Sequence, residues 1–413
     1  MPQTLPEHGR PWPELRDEMQ GMRDHDLDWR HGRHGAYVWY ANDALEDVLR
    51  EAFGMFMVEN GLGIRVFPSI NRMESEVLSM VSGLLDGDDI TAGIFTSGGT
   101  ESIFLAISAM REWARAAKPG VTRPTIVAPH SAHPALNKAA HYLGLDIVRV
   151  PVGSDHRAVP AALAAAITPE TIGLYISAPS YSLGLVDPVA EVADLAERSG
   201  LWLHVDACVG GILGGFVRDL GHAVPDFGFA NAGVSSISAD LHKSGYAAKP
   251  ASTVTFRTRE QREFARYRFS DWPSGMYSSY TFTGSRPGGA IAAAWAAMQY
   301  LGRDGYRELA ASAMRAKESM ATGLLAIPGV TINGDPHLWA FGWSAEGVDI
   351  GKLAGALYSR GWVAGTTTHP PGIHVMATPV HEPFAQEYVD AVRASLAEVR
   401  DGAPAESRPA AYN

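Results

Sequence analysis

The sequence predicts an α/β fold in which a mainly parallel sheet, interleaved with helices, is preceded by an N-terminal arm and followed by a smaller α+β domain. Three observations predict it. Seven short apolar runs recur between residues 92 and 258, helical patterns separate most of them, and the rhythm changes near residue 300. Strands alternating with helices imply crossover connections between parallel strands.

In chain order, the first 40 residues are polar and aromatic and read as an arm, which with the first helix makes a unit of 1–67. Helical spacing follows at 43–57 and at 70–86, where Met73, Val77, Val81 and Leu84 share one face. The strand-like runs are AGIFTS (92–97), TIVAP (125–129), DIVRVPV (146–152), TIGLYISAP (171–179), LWLHVDA (201–207), VSSISAD (234–240) and STVTFRT (252–258). Helices are expected from near Gly99, at 133–143 and at 187–199, within a large domain of 68–300. Long helical patterns at 288–302 and 304–326 lead into HLWAFGWS, a helix at 350–360, GIHVMATP and a helix at 384–400, giving a small domain of 301–400. The Ala/Pro-rich residues 401–413 read as a flexible tail.

Composition excludes several classes. With 46% hydrophobic and 19% charged residues the chain is ordinary for a globular protein. A net charge of −11 argues against a nucleic-acid or anionic-membrane surface. One cysteine, Cys208, rules out an intrachain disulfide and fits a reducing compartment. No run of eighteen apolar residues is present, and the proline-broken, acidic N-terminus has no apolar signal-peptide core. The expectation is a soluble cytoplasmic protein without a membrane span, acting on a small molecule, with no metal.

Three motifs carry chemistry. TSGGTES (96–102) joins a strand end to a helix start: Gly98 and Gly99 permit close approach of the backbone, while Ser97 and Thr100 place hydroxyls where free N–H groups favour an anion. By itself it equally fits a plain helix cap. HVDACVGG (204–211) puts Asp206 at a carboxyl strand end, facing the crevice of an α/β sheet, or else capping a helix. SISADLHKSGYAAKPAS (236–252) puts Lys243 after another strand, with His242 beside it and Lys249 six residues on. Either lysine alone fits a surface loop, but a lysine with a lowered pKa is also a nucleophile that forms imines. Together, an anion cradle, a strand-end acid and a strand-end lysine, in that order, fit pyridoxal 5'-phosphate (PLP), which needs a phosphate site, an acid to keep its ring nitrogen protonated and a lysine for the imine.

The chain resembles the sphingosine-1-phosphate lyases, fold-type I PLP enzymes related to the group II decarboxylases. The matching stretches are FPSINRMESEV, TSGGTESIFLA, AHPALNKAAHYLGLDIVRVPV, GLVDPV, LHVDACVGG, SISADLHKSGYAAKP, GSRPGGAIAAAWAAM and IHVMAT, in order from about residue 35 to 395. The resemblance implies Lys243 as the imine lysine, Asp206 as the partner of the ring nitrogen and His133 as the residue stacked on the ring. It implies a phosphate cradle of Gly99 and Thr100 with Ser238 and His242, completed across a homodimer by Gly284 and Ser285 of TGSRPGG. Lys249 matches a second active-site lysine that binds an anionic substrate or moves protons. Tyr40 is matched to a mobile arm tyrosine, with Tyr37 and Trp39 as competitors, and His374 and His381 fall where the family has histidines.

The substrate end departs from the pattern. Before FPS the lyases carry N-x-x-H; here VENGLGIRVFPS keeps Asn60 but has Gly63 at the histidine position, with Arg65 nearby as a replacement charge. Before GLVDPV stands Leu183 where the family has an aromatic residue or histidine, with Tyr181 two residues earlier. Each charge-assisted hydrogen bond lost is worth roughly 1.5–3 kcal/mol. Residues 361–383 contain no arginine, the residue suited to bidentate carboxylate binding, although Arg286 is available elsewhere. The expected reaction is retro-aldol cleavage of a 2-amino-3-hydroxy compound to an aldehyde and an amine. The alternative is a PLP-dependent amino-acid decarboxylase or aldolase, and a third reading is a non-catalytic PLP-binding relative.

Overall fold

A computed structural model describes residues 4–63, 65–402 and 407–408; most of the tail read as flexible therefore lies outside the described residues. All seven apolar runs form strands of one sheet: β1 (Ala92–Thr96), β2 (Thr125–Pro129), β3 (Asp146–Val150), β4 (Thr171–Ser177), β5 (Trp202–Asp206), β6 (Ser236–Ala239) and β7 (Ser252–Phe256). Their order is β1-β7-β6-β5-β4-β2-β3. Pairings from β3 through β2, β4 and β5 to β6 are parallel, while β7 runs antiparallel to both β6 and β1. β4 and β5 are buried along their whole length, as expected of strands covered on both faces.

The crossover helices follow from their apolar spacing. Helix Val189–Ser199 buries Val189, Val192, Ala193 and Ala196, an i, i+3, i+4, i+7 stripe, and stops at Gly200, whose φ of 58° is the left-handed conformation that closes a helix. Helix Gly99–Ala117 is alanine- and isoleucine-rich and buries residues on most of its circumference, which fixes its N-terminus against the carboxyl edge of the sheet.

A hairpin of β8 (Tyr267–Phe269) and β9 (Tyr277–Ser279) precedes the long helix Gly288–Leu325. That helix contains both long helical patterns of the sequence, broken at Gly302 (φ 55°, ψ −172°). Beyond it, β10 (Val330–Ile332), β11 (Ala340–Ala345), β12 (Gly365–Thr368) and β13 (Pro371–Met376) make an antiparallel sheet in the order β10-β11-β13-β12. Trp339, Phe341 and Trp343 of this region share one buried cluster with Val205 and Ile237 of the large sheet. The arm is not wholly irregular: Trp12–Arg23 is helical, but it buries no residue, so its sequence lacks the apolar stripe that would have marked it.

One glycine locks the two sheets together beside the site described below. Gly184, at φ +70°, lies in the loop after β4, and a β-carbon there would sit 1.7 Å from the carbonyl oxygen of Ala340 in β11. Its own carbonyl accepts from the His337 backbone N–H. Gly184→Ala therefore imposes both a left-handed alanine and a backbone clash. It is expected to destabilise the protein by roughly 2–4 kcal/mol, read as a lowered midpoint in chemical denaturation.

Candidate active site

The loops leaving β1, β2, β4, β5 and β6 meet at the carboxyl edge of the sheet around a cavity of about 370 Å³. Its wall includes Ser97–Glu101, His133, Pro179, Tyr181, Asp206, Cys208, Asp240, His242 and Lys243.

Asp206 ends β5 in register with Ser177 of β4 and Ser238 of β6, which puts its carboxylate at the floor. One oxygen accepts from the Tyr175 hydroxyl at 2.5 Å; the other accepts from the Cys208 backbone N–H at 3.1 Å and the Ser238 hydroxyl at 3.2 Å. Burial works to raise its pKa, but the nearby His133 and these donors outweigh it and hold the carboxyl below its ordinary value. Behind it, His204 sits between the hydroxyls of Ser236 (2.9 Å) and Ser238 (3.3 Å) and against the ring of Tyr175.

Lys243 follows β6. Its amine lies 2.8 Å from Oδ2 of Asp240, whose side chain is fully buried and whose other oxygen accepts from the Ser252 hydroxyl at 2.5 Å. Burial pulls the lysine pKa down, yet the Asp240 charge more than offsets this and the net shift is upward. Gly99 is sterically required: a β-carbon there would lie 2.7 Å from Cys208 Sγ and 2.8 Å from Asp240 Oδ2, whereas one on Gly98 would make only a tight contact, 3.3 Å from His242 Cε1. His242 is anchored as Nδ1 accepts from the Ala251 N–H at 3.1 Å.

His133 stands over the cavity, its Nδ1 accepting from the Ala135 N–H at 3.2 Å, and its pKa is lowered chiefly by burial. Tyr181 meets it edge-on at 5.8 Å and meets His374 of β13 at 5.1 Å. Lys249 is not on the wall of this cavity; its amine donates to the Tyr37 carbonyl at 3.4 Å, and partial desolvation and the Lys243 charge lower its pKa. It borders an aromatic hollow of about 610 Å³ that reaches His242.

Several expected residues are placed differently. Ser238 is not on the cavity wall: it is fully buried, its hydroxyl enclosed by Asp206 Oδ1 (3.2 Å), His204 Nε2 (3.3 Å) and Cys208 Sγ (3.3 Å). Ser97 is on the wall, but its hydroxyl and N–H both donate to Glu101 Oε2, at 2.6 and 2.7 Å. Tyr40 is held away from the cavity by Arg30 (2.9 Å) and Asp43 (2.7 Å), whereas Tyr37 contacts Lys249. Asn60 accepts from the Leu62 and Arg286 N–H groups and Arg65 is exposed; neither lines the cavity. Arg286 is paired with Glu74. Gly284 and Ser285 are also off the wall of their own chain's cavity. His381 is buried and bonded to Thr378 and the His34 carbonyl.

Sequence reasoning missed Asp240, Glu101, Tyr175, His204 and Cys208. Asp240 carried the same signal as Asp206, an acid closing an apolar strand three residues before Lys243. Tyr175 and His204 lie inside strand runs, where nothing in the pattern separates a polar network from a core position.

A buried acid, a paired lysine and a helix N-terminus kept open by two glycines fit PLP by both shape and charge. The chain matches the pyridoxal-dependent decarboxylase conserved domain over residues 1–338. The fold and site thus define a PLP-dependent enzyme. More narrowly, the chain belongs to the sphingosine-1-phosphate lyase family and is a PLP-dependent lyase. It is 36% identical to sphingosine-1-phosphate lyase 1 of Mus musculus over 96% of this chain and 70% of that protein, and 31% identical to the Saccharomyces cerevisiae lyase over 98% and 70%. The solved sphingosine-1-phosphate lyase of Burkholderia pseudomallei superposes with a TM-score of 0.93 at 33% identity, covering 97% of this chain and 94% of that one. Glutamate decarboxylase of Lactobacillus brevis shares the fold, with a TM-score of 0.83 at 19% identity.

The buried histidines give the site a pH signature. Burial lowers both His204 and His374 to about 4. In the unfolded chain a histidine takes up a proton near pH 6.5, so below that pH the unfolded state binds more protons. The stability they contribute is fully present above about pH 6.5 and is lost as pH falls toward 4. Denaturation midpoints of the apoprotein should fall over this range, and His204→Gln should reduce the slope near pH 5 by about one proton.

Proposed function

We propose that the chain cleaves a 2-amino-3-hydroxy phosphate of the sphingoid-base type, by retro-aldol reaction, to an aldehyde and an amine. The observation that carries this reading is the make-up of the walls: Lys243, Asp206, His133 and the Gly98–Gly99 turn stand together, yet among the described residues neither the catalytic cavity nor the cavity next to it beyond Tyr181 has an arginine for a substrate carboxylate.

Bound PLP supplies the electron sink that makes the C2–C3 bond labile. Lys243, its amine held 2.8 Å from Asp240, would hold PLP as the imine lysine and would yield that place to the substrate amine. The ionised Asp206, fixed by Tyr175, Ser238 and the Cys208 N–H, holds a proton on the ring nitrogen. His133, on the cavity wall, would lie against the PLP ring and shield it from water. The N-terminus of helix Gly99–Ala117, with Gly98, Gly99, Thr100 and the neighbouring His242, faces the cofactor phosphate. Lys249, with its pKa lowered by desolvation and by Lys243, acts as the free amine that takes the C3 hydroxyl proton, and becomes a cation on the substrate-phosphate side once protonated. The C3 oxygen loses its proton, the C2–C3 bond breaks to leave an aldehyde at C3, and a proton returns at C2 to complete the amine.

We further infer a homodimer, acting in the cytoplasm, in which Gly284 and Ser285 complete the partner's phosphate site. Supporting this, Gly61 and Gly288 are bonded to Arg286 and Glu59, so the 57–63 and 282–288 segments lie together, and large apolar side chains are exposed on both, among them Val58 and Phe282. Among the described residues no helix is long and apolar enough to cross a membrane.

The test is a product screen with phosphorylated and unphosphorylated sphingoid bases, serine and aromatic amino acids. Aldehyde release from the phosphorylated bases is expected, falling at least ~10³-fold in Lys243→Ala. Release of CO2 from an amino acid without aldehyde would establish the decarboxylase alternative instead.

A further inference from the structure

Beyond Tyr181 and His133, which form part of both walls, the catalytic cavity gives onto a second one of about 440 Å³. Its wall carries four further imidazoles, His130, His156, His369 and His374, with the hydroxyls of Thr366 and Thr368 among others, and no lysine, arginine, aspartate or glutamate. Such a wall has hydrogen-bonding capacity without fixed charge. Hydroxyls and neutral imidazoles each donate and accept, as does an alcohol.

Two features mark this wall as more than leftover space. His374 is 6% exposed, and its Nδ1 finds no hydrogen-bond partner among the described residues. The ring is seated against Gly365, where a β-carbon would lie 2.1 Å from Nε2. His156 is a non-glycine residue at φ +64°, and Tyr37, on the same wall, is at +75°. Left-handed backbone at bulky residues is held only where surroundings impose it, and it concentrates at ligand sites.

Resting on the retro-aldol reading, we propose that this cavity receives the part of the substrate beyond C3 and selects one bearing a further hydroxyl there. Among the described residues a phosphate or carboxylate meets no lysine or arginine on this wall. A plain alkyl chain would leave the buried imidazole of His374 unpaired, which disfavours it relative to a chain that presents an oxygen. The phosphate end is thereby directed to the Lys249 side.

The test compares kcat/KM for two saturated sphingoid-base 1-phosphates of equal chain length, one with and one without a hydroxyl at C4. Wild type should favour the 4-hydroxy compound by roughly three- to tenfold, the value of one or two neutral hydrogen bonds. His374→Leu and His156→Gly should each bring the ratio toward one. The glycine variant relieves the left-handed backbone and so guards against misfolding as an explanation. A ratio near one in wild type, a preference for the compound lacking the hydroxyl, or a ratio unchanged in both variants overturns the proposal while leaving the lyase reading intact. No aldehyde from either compound overturns the lyase reading and this proposal with it.

Discussion

The ion pair between Lys243 and Asp240 is the interaction on which the site depends. Asp240 is wholly buried, and an isolated charge there would cost several kcal/mol. The lysine amine at 2.8 Å and the Ser252 hydroxyl at 2.5 Å compensate it from two sides. Because Asp240 also lies against Gly99, the same carboxylate ties together the β1 turn, the end of β6 and the start of β7. A side chain at position 99 would push it off the lysine. The antiparallel β7, the one reversal in the large sheet, is what brings Ser252 to this point.

Asp206 is a second buried carboxylate with a different environment and hence a different task. It has no lysine or arginine partner; hydroxyls, a backbone N–H and a histidine keep it ionised. One carboxylate therefore stabilises a protonated amine and the other is poised toward a protonated ring nitrogen. Their separation across adjacent strands follows from the parallel register of β5 and β6, which ends both strands at one edge.

Much of this was legible in the sequence. The alternation of strands and helices between 92 and 258 gave the large sheet because buried parallel strands are continuous apolar runs; Lys243, Asp206 and the glycine turn stood out because each follows or closes such a run at its carboxyl end, whereas His133 was indicated only by the family resemblance. What was not legible depends on side-chain direction or on packing at a distance. Ser238 read as part of a phosphate cradle, but its hydroxyl is enclosed by Asp206, His204 and Cys208, a packing arrangement that no motif announces. Tyr40 and Tyr37 are near neighbours in a polar arm, and only the folded chain shows Arg30 and Asp43 drawing the first away while the second reaches Lys249. The helix Trp12–Arg23 and the hairpin of β8 and β9 expose most of their side chains, so they lack the periodicity by which buried elements announce themselves. The four further imidazoles of the second cavity come from three separate parts of the chain, His130, His156 and the β12–β13 segment with His369 and His374, and share no motif.

The central claim is that Lys243, and not its neighbour Lys249, holds the cofactor covalently. Borohydride reduction of the PLP-loaded protein, followed by proteolysis and peptide mass spectrometry, tests it most directly. The account predicts a single pyridoxyl-phosphate adduct on Lys243, and none on Lys249. An adduct confined to Lys249 or to any other lysine, or no adduct on a protein shown to retain PLP, would contradict it.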